Sequence, residues 1–327
     1  MRRIGLAVIA STGAGLILLA SVNASAGADA PVLPPLGVVV GSQPFSEGQL
    51  LSGTSASSET CSRATGAFWV VDDGRGDCIR TYQSGFANGS NPRVIVFFHG
   101  DLIAGVRGKT PVTLVDRSYP QSTPDQMQAS NDSFAKAAAL PFVQVARPGA
   151  FGSSGDHLLR RRPREVRLVN AALDALKAVH AVQTFYIAGQ SGGGHNAAAL
   201  LALRRDIACA VIASAPASTR VYDMARGFTV PPGQFFDPAE HVGNIASSSP
   251  PRIFILGDPR DTVVSFSSQR DYFERLTQVG LPTRLLIGKA QPPKHHELGA
   301  TALLVILECA RDRSDEFIAD FLDRLSK

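Results

Sequence analysis

The chain has 327 residues, 44% of them hydrophobic and 18% charged, with 30 Gly and 21 Pro. That balance is globular and excludes collagen-like, coiled-coil and wholly disordered organisation. The 32 Lys+Arg against 28 Asp+Glu leave a net charge of +4, too small to imply a nucleic-acid partner.

Residues 1–30 read as a secretory signal. Arg2 and Arg3 precede an uncharged run, Ile4 to Val22, rich in Ala, Leu, Ile and Val. The small-residue sites Ala24-Ser25-Ala26 and Ala28-Asp29-Ala30 follow, so cleavage is expected after Ala26 or Ala30. The expected product is secreted or periplasmic and has no stable membrane association. An uncleaved anchor is the alternative, because a run of this length could just span a bilayer. Residues 31–60, rich in Pro, Gly and Ser, read as a flexible lead-in. Residues 61–327 read as one domain.

Ala67–Val71 and Cys78–Gln83 form an expected antiparallel pair around Asp72-Asp73-Gly74. Short apolar runs then recur at Val94–Phe98, Phe142–Ala146, Thr184–Ala188, Ile207–Ala213, Ile253–Leu256 and Arg284–Ile287. Strands apolar on both faces fit a parallel sheet covered by helices on each side. Helical patterns start at Pro163 and cover Ala197–Arg205, Ser267–Val279, Ala300–Cys309 and Glu316–Leu325. The alternation predicts an α/β fold with a mostly parallel central sheet. Residues 217–250 lack periodicity and read as a loop or small lid, with Phe228, Phe235 and Phe236 as candidate pocket residues.

The chain contains four Cys, at 61, 78, 209 and 309. An even count in an exported chain suggests two disulfides. The preferred pairing is Cys61–Cys78 with Cys209–Cys309, and four free buried thiols are the alternative. His157, His180, His195 and His241 lack metal-ligand spacing, and no phosphate-loop or dinucleotide fingerprint is present. Neither a metal nor an organic cofactor is expected. The run Arg160, Arg161, Arg162, Arg164 and Arg167 reads as a solvated helix start, partly offset by Glu165, that needs acidic counterparts nearby.

The sharpest signal is Gly189-Gln190-Ser191-Gly192-Gly193, between an expected strand and an expected helix. A G-x-S-x-G sequence needs that context, because its serine sits on a strained turn where bulkier flanking residues would meet backbone. Serine is a poor nucleophile near neutral pH, so it needs a base and the base needs an orienting acid.

With these residues the sequence resembles the α/β-hydrolase superfamily over roughly residues 90–326. The resemblance implies the order Ser191, then Asp261, then His296. Asp258 and His295 stand as alternates for the acid and the base. His99-Gly100-Asp101 resembles the family's oxyanion segment, which implies backbone N–H donors at Gly192 and Asp101. Arg147-Pro148-Gly149 with Gly152-Ser153-Ser154-Gly155 resembles a supporting loop of many such enzymes, and Ser153 and Ser154 lie in no such turn. The implied activity is a serine hydrolase, carboxylesterase-like, acting on a small-molecule ester or peptide. A prolyl-oligopeptidase-like peptidase and a non-catalytic binding protein on the same fold are the alternatives. Nothing in the sequence sets an oligomeric state.

Overall fold

The computed structural model describes residues 32–106, 112–229, 231–246 and 248–325. The expected signal segment lies outside them. Two short helices come first, α1 (Glu47–Ser52) and α2 (Ser58–Ser62). A hairpin follows, β1 (Ala67–Asp72) and β2 (Arg75–Ser84). Asp73 and Gly74 at its tip both have positive φ, 51° and 71°, as a tight hairpin turn requires. Next come β3 (Arg93–Phe98), a small hairpin of β4 (Ile103–Val106) and β5 (Val112–Val115), α3 (Pro124–Ala138), β6 (Phe142–Val145) and α4 (Pro163–His180). The second half runs β7 (Thr184–Gln190), α5 (Gly192–Leu203), β8 (Ile207–Ala213), α6 (Thr219–Ala225), β9 (Arg252–Gly257), α7 (Phe266–Gln278), β10 (Thr283–Ile287), α8 (Gly299–Ala310) and α9 (Asp315–Leu325).

Eight strands form one sheet in the order β1-β2-β6-β3-β7-β8-β9-β10. The β1–β2 and β2–β6 pairs are antiparallel, and every pair from β6 to β10 is parallel. Alternate residues of each strand face opposite sides. Val94, Val96 and Phe98 join Leu168, Leu173 and Leu176 of α4 and Tyr272 of α7 in one core. Ile95 joins Ala135 of α3, Val305 and Ile306 of α8 and Ile318 of α9 in the other. Burial on both faces is why the strands read as continuous apolar runs.

Residues 32–60, expected as a flexible lead-in, differ from that reading. Phe45 and Leu50 are buried, and Phe45 meets the rings of Tyr119 and Phe151 at 5.7 and 5.2 Å. Thr54 and Gly155 exchange backbone hydrogen bonds of 2.8 and 2.7 Å. Two apolar anchors and a backbone bridge hold a segment whose Pro, Gly and Ser content suggested none. Disulfides join Cys61 of α2 to Cys78 of β2 and Cys209 of β8 to Cys309 of α8, with Cα separations of 5.4 and 6.6 Å. Among the described residues no helix is long and apolar enough to cross a membrane.

Candidate active site

The chain reverses strand order around β3, whose neighbours β6 and β7 lie on opposite sides. Ligand sites of open α/β sheets form beyond the carboxyl ends of strands at such a point. All the candidate residues leave strands there: Asp101 after β3, Arg147 after β6, Ser191 after β7, Asp261 after β9 and His296 after β10.

Ser191 sits between β7 and α5 with φ 55° and ψ −121°, a strained conformation for a residue with a side chain. Its N–H donates to the Ala213 carbonyl of β8 at 2.8 Å, and its carbonyl accepts from His195 N–H at 3.0 Å. The flanking glycines are forced by packing. A Cβ at Gly189 would overlap the Gly193 backbone, and one at Gly193 would overlap the carbonyls of Phe98 and His99. The turn is thus pressed onto the end of β3. Ser191 is 8% exposed.

His296 Nδ1 and Asp261 Oδ2 are 2.8 Å apart, and the Asp261 side chain is fully buried. The other Asp261 oxygen accepts from the N–H groups of Val263 and Val264 at 2.8 and 3.0 Å. Those bonds fix the carboxylate plane. A neutral His296 that donates from Nδ1 leaves Nε2 as a proton acceptor. The alternates belong to a different set of contacts. Asp258 accepts from Ala290 N–H at 3.0 Å and pairs with Arg260 at 2.7 Å, while His295 Nδ1 meets the Ala290 carbonyl at 3.0 Å. The Arg260 pair holds the Asp258 carboxyl down at about 2, against its burial.

The segment after β3 runs beside the turn, and a Cβ at Gly100 would lie 3.4 Å from Ser191 Cβ. The Asp101 carboxylate is occupied by arginines, Arg147 at 2.7 Å and Arg160 at 2.9 Å, with Arg161 at 3.8 Å. Burial favours protonation of Asp101, but Arg161, Arg147 and Arg160 outweigh it and hold the carboxyl well below the usual range. Arg147, wholly buried, also pairs with Glu165 at 2.6 Å, and Glu165 accepts from Asn196 at 2.9 Å. His99 supports the loop. Its Nδ1 meets the Gly100 carbonyl at 2.8 Å, and its Nε2 accepts from Arg147 N–H at 3.1 Å.

Four of the five arginines in the run therefore have acidic counterparts. Asp101 takes Arg160 and Arg161, while Asp72 and Asp77 take Arg164 and Asp72 takes Arg167. It is a paired network more than a solvated helix start. Arg161 is itself buried at φ 62°, with its guanidinium over the rings of Tyr222 and Phe235.

The segment after β8 carries α6 and a cavity of about 350 Å³ whose walls include Phe228, Phe235, Met224 and Asp223. Phe236 stands elsewhere. Its carbonyl meets His195 Nε2 at 2.7 Å, and its ring stacks on His241. Ser153 and Ser154 are buried and accept the Arg80 and Cys78 N–H groups through their hydroxyls. Among the described residues no group of three or more His, Cys, Asp or Glu could hold a metal ion.

Sequence reasoning missed Gln190. It is the variable position of the motif, yet its buried amide donates to the His296 carbonyl at 2.9 Å and accepts from Leu298 N–H at 3.0 Å. It also missed the Arg147–Glu165–Asp101 network, although the Arg147-Pro148-Gly149 segment marked the place.

No protein-family model matches the chain. No curated protein matches it either. Among solved structures, the Pyrococcus furiosus esterase Pf2001 is 15% identical, with 86% of this chain and 97% of that chain covered and a TM-score of 0.50. Est1E from Butyrivibrio proteoclasticus is 13% identical over 76% of this chain and 98% of its own, at a TM-score of 0.49. The Pyrococcus horikoshii acylaminoacyl peptidase is 13% identical over 75% of this chain but 39% of its own, at 0.49. Strand order, the helices on both sheet faces and the likeness to the P. furiosus esterase structure give one result: the chain adopts the α/β-hydrolase fold.

Proposed function

We propose that this chain is an exported serine hydrolase that cleaves a carboxylic ester through an acyl-enzyme. Ser191 Oγ attacks the ester carbonyl while His296 Nε2 takes its proton. Asp261 keeps the imidazole in the Nδ1–H form and stabilises the imidazolium. The N–H groups of Gly192 and Asp101 receive the oxyanion, each such donor being worth about 3 kcal/mol of barrier. The C–O bond to the alcohol breaks as His296 returns the proton to it. Water, deprotonated by the same imidazole, then releases the carboxylic acid and restores Ser191. No step calls for a metal or an organic cofactor.

The observation that carries this reading is the 2.8 Å His296–Asp261 pair, in a loop hydrogen-bonded to the residue next to a serine at φ 55°. The pairing of Asp101 with arginines supports its role, since that carboxylate would otherwise oppose a nearby oxyanion. Two disulfides support export to an oxidising compartment.

A fluorophosphonate probe tests the reading. It is expected to label the mature protein at Ser191 and to leave Ser191→Ala unlabelled. The wild type is expected to hydrolyse p-nitrophenyl acyl esters faster than aminoacyl amides. Faster cleavage of the amides would make it a peptidase, and a folded protein without labelling would make it a binding protein.

A further inference from the structure

The Asp261–His296 pair belongs to one structural unit. The segment before His296 is fixed to the acid's loop at three points. Ala290 N–H donates to Asp258 at 3.0 Å, Thr262 N–H donates to the Lys294 carbonyl at 3.0 Å, and His296 itself bonds Asp261. Acid and base can therefore shift together without breaking any of these bonds. What fixes the unit relative to Ser191 is a separate matter. Among the described residues, the hydrogen bonds between the 295–298 segment and β7 both come from Gln190.

The side chain suits that task. A carbonyl at His296 needs a donor and an N–H at Leu298 needs an acceptor, and one primary amide supplies both. Gln190 is 5% exposed, so neither group has water as a substitute. Its stem lies next to two glycines. A Cβ at Gly100, on the oxyanion segment, would lie 3.7 Å from Gln190 Cγ, and one at Gly299, where α8 starts, would lie 3.5 Å from Gln190 Cβ. Residue 190 thus adjoins the serine in sequence, the oxyanion segment on one side and the base loop on the other.

We propose that Gln190 is a positioning residue, whose amide clamps the His296 loop to the Ser191 turn and so sets the imidazole at the hydroxyl. The proposal rests on the hydrolase reading above. It predicts a loss confined to the chemical step, because the clamp touches neither the cavity of the segment after β8 nor the Asp261 contact.

The test compares the full mature chain with Gln190→Leu and Gln190→Glu on p-nitrophenyl butyrate. Gln190→Leu is expected to lower kcat about 10- to 100-fold, the scale of a small misplacement of reacting groups, with KM within about twofold. The downfield Nδ1–H resonance of His296 is expected to persist, since the Asp261 bond is left intact. Leu298 N–H is expected to lose protection from hydrogen exchange. Gln190→Glu adds a readout that a bulk packing defect would not move. Its ionised carboxylate accepts from Leu298 but faces the His296 carbonyl without a proton, and its acid form restores both bonds. Its rate relative to wild type is therefore expected to rise as pH falls. A Gln190→Leu kcat within threefold of wild type overturns the proposal, as does a flat relative pH profile or unchanged Leu298 exchange. If Ser191→Ala hydrolyses as fast as wild type, the hydrolase reading itself has failed, and that control separates the two failures.

Discussion

Two carboxylates lie three residues apart after β9, and their surroundings divide the work between them. Asp261 is buried against His296, whereas Asp258 holds the loop through Arg260 and Ala290. Asp261→Asn is expected to cut kcat by about 10⁴-fold, because the imidazole loses its tautomer control. Asp258→Asn is expected to keep kcat within about threefold and to cost about 1–3 kcal/mol of stability, the range for a buried group that loses charge-assisted hydrogen bonds. Steady-state kinetics and urea denaturation of both variants check this, and a reversed pattern would exchange their roles. The preference for Asp261 over Asp258 and His296 over His295 came from the α/β-hydrolase resemblance, and the preferred two are the ones joined by a 2.8 Å hydrogen bond. The contacts of Gln190 were not legible, because the motif fixes only its glycines and serine, and the partners of Gln190 are more than a hundred residues away in the chain.

At the scale of elements, α5 begins where the expected pattern did not. The helix starts at Gly192, although the apolar run suggested Ala197. Gly192, Gly193 and Gly194 are poor helix formers, and they are there because neighbouring groups leave no room for a Cβ. Gly193→Ala is expected to destabilise the fold by about 1–3 kcal/mol, since the obstructing atoms are backbone carbonyls that cannot rotate away. Gly243→Ala, with open space around it, is expected to change stability by less than about 0.5 kcal/mol. Chemical denaturation of the pair checks this, and equal stabilities would contradict the packing argument. Helix α3 escaped notice for a different reason. It buries Asn131, Ala135 and Ala138, so no large apolar stripe marks it. Its legible sign was the capping box of Thr123 and Gln126 around Pro124. The parallel strands were legible throughout, because burial on both faces leaves short apolar runs set between helical patterns.

For the molecule as a whole, the buried network behind Asp101 makes stability depend on pH. Burial drives His157 down to about 4, with Arg147 adding to the effect and Asp101 and Glu165 opposing it. Its contacts agree, since Nε2 accepts from Leu102 N–H at 3.3 Å and Nδ1 meets the Pro148 carbonyl at 3.2 Å, as a neutral ring requires. Burial would raise Glu165, but the charge and hydrogen bonds of Arg147, with Asn196, bring it to about 2. Both groups titrate lower in the folded chain than in the unfolded one, so the unfolded chain binds more protons as pH falls. Stability is expected to decline first below about 6.5 through His157, to which His99 and His195, also lowered by burial, add their share, and then from about 4.5 towards 2 through Glu165. His157→Gln, which can make the same two hydrogen bonds without titrating, is expected to make the first decline in urea midpoints shallower without abolishing it. A slope equal to wild type would assign the decline to other groups.

The bond between Cys209 and Cys309 spans 100 positions, and within that span lies the cavity-bearing stretch after β8. A protease that nicks the backbone anywhere in it produces two polypeptides that stay covalently joined. Such a clipped species gains one water per cut but releases its pieces only when a reductant is added, so a single band on non-reducing electrophoresis does not certify an unbroken main chain.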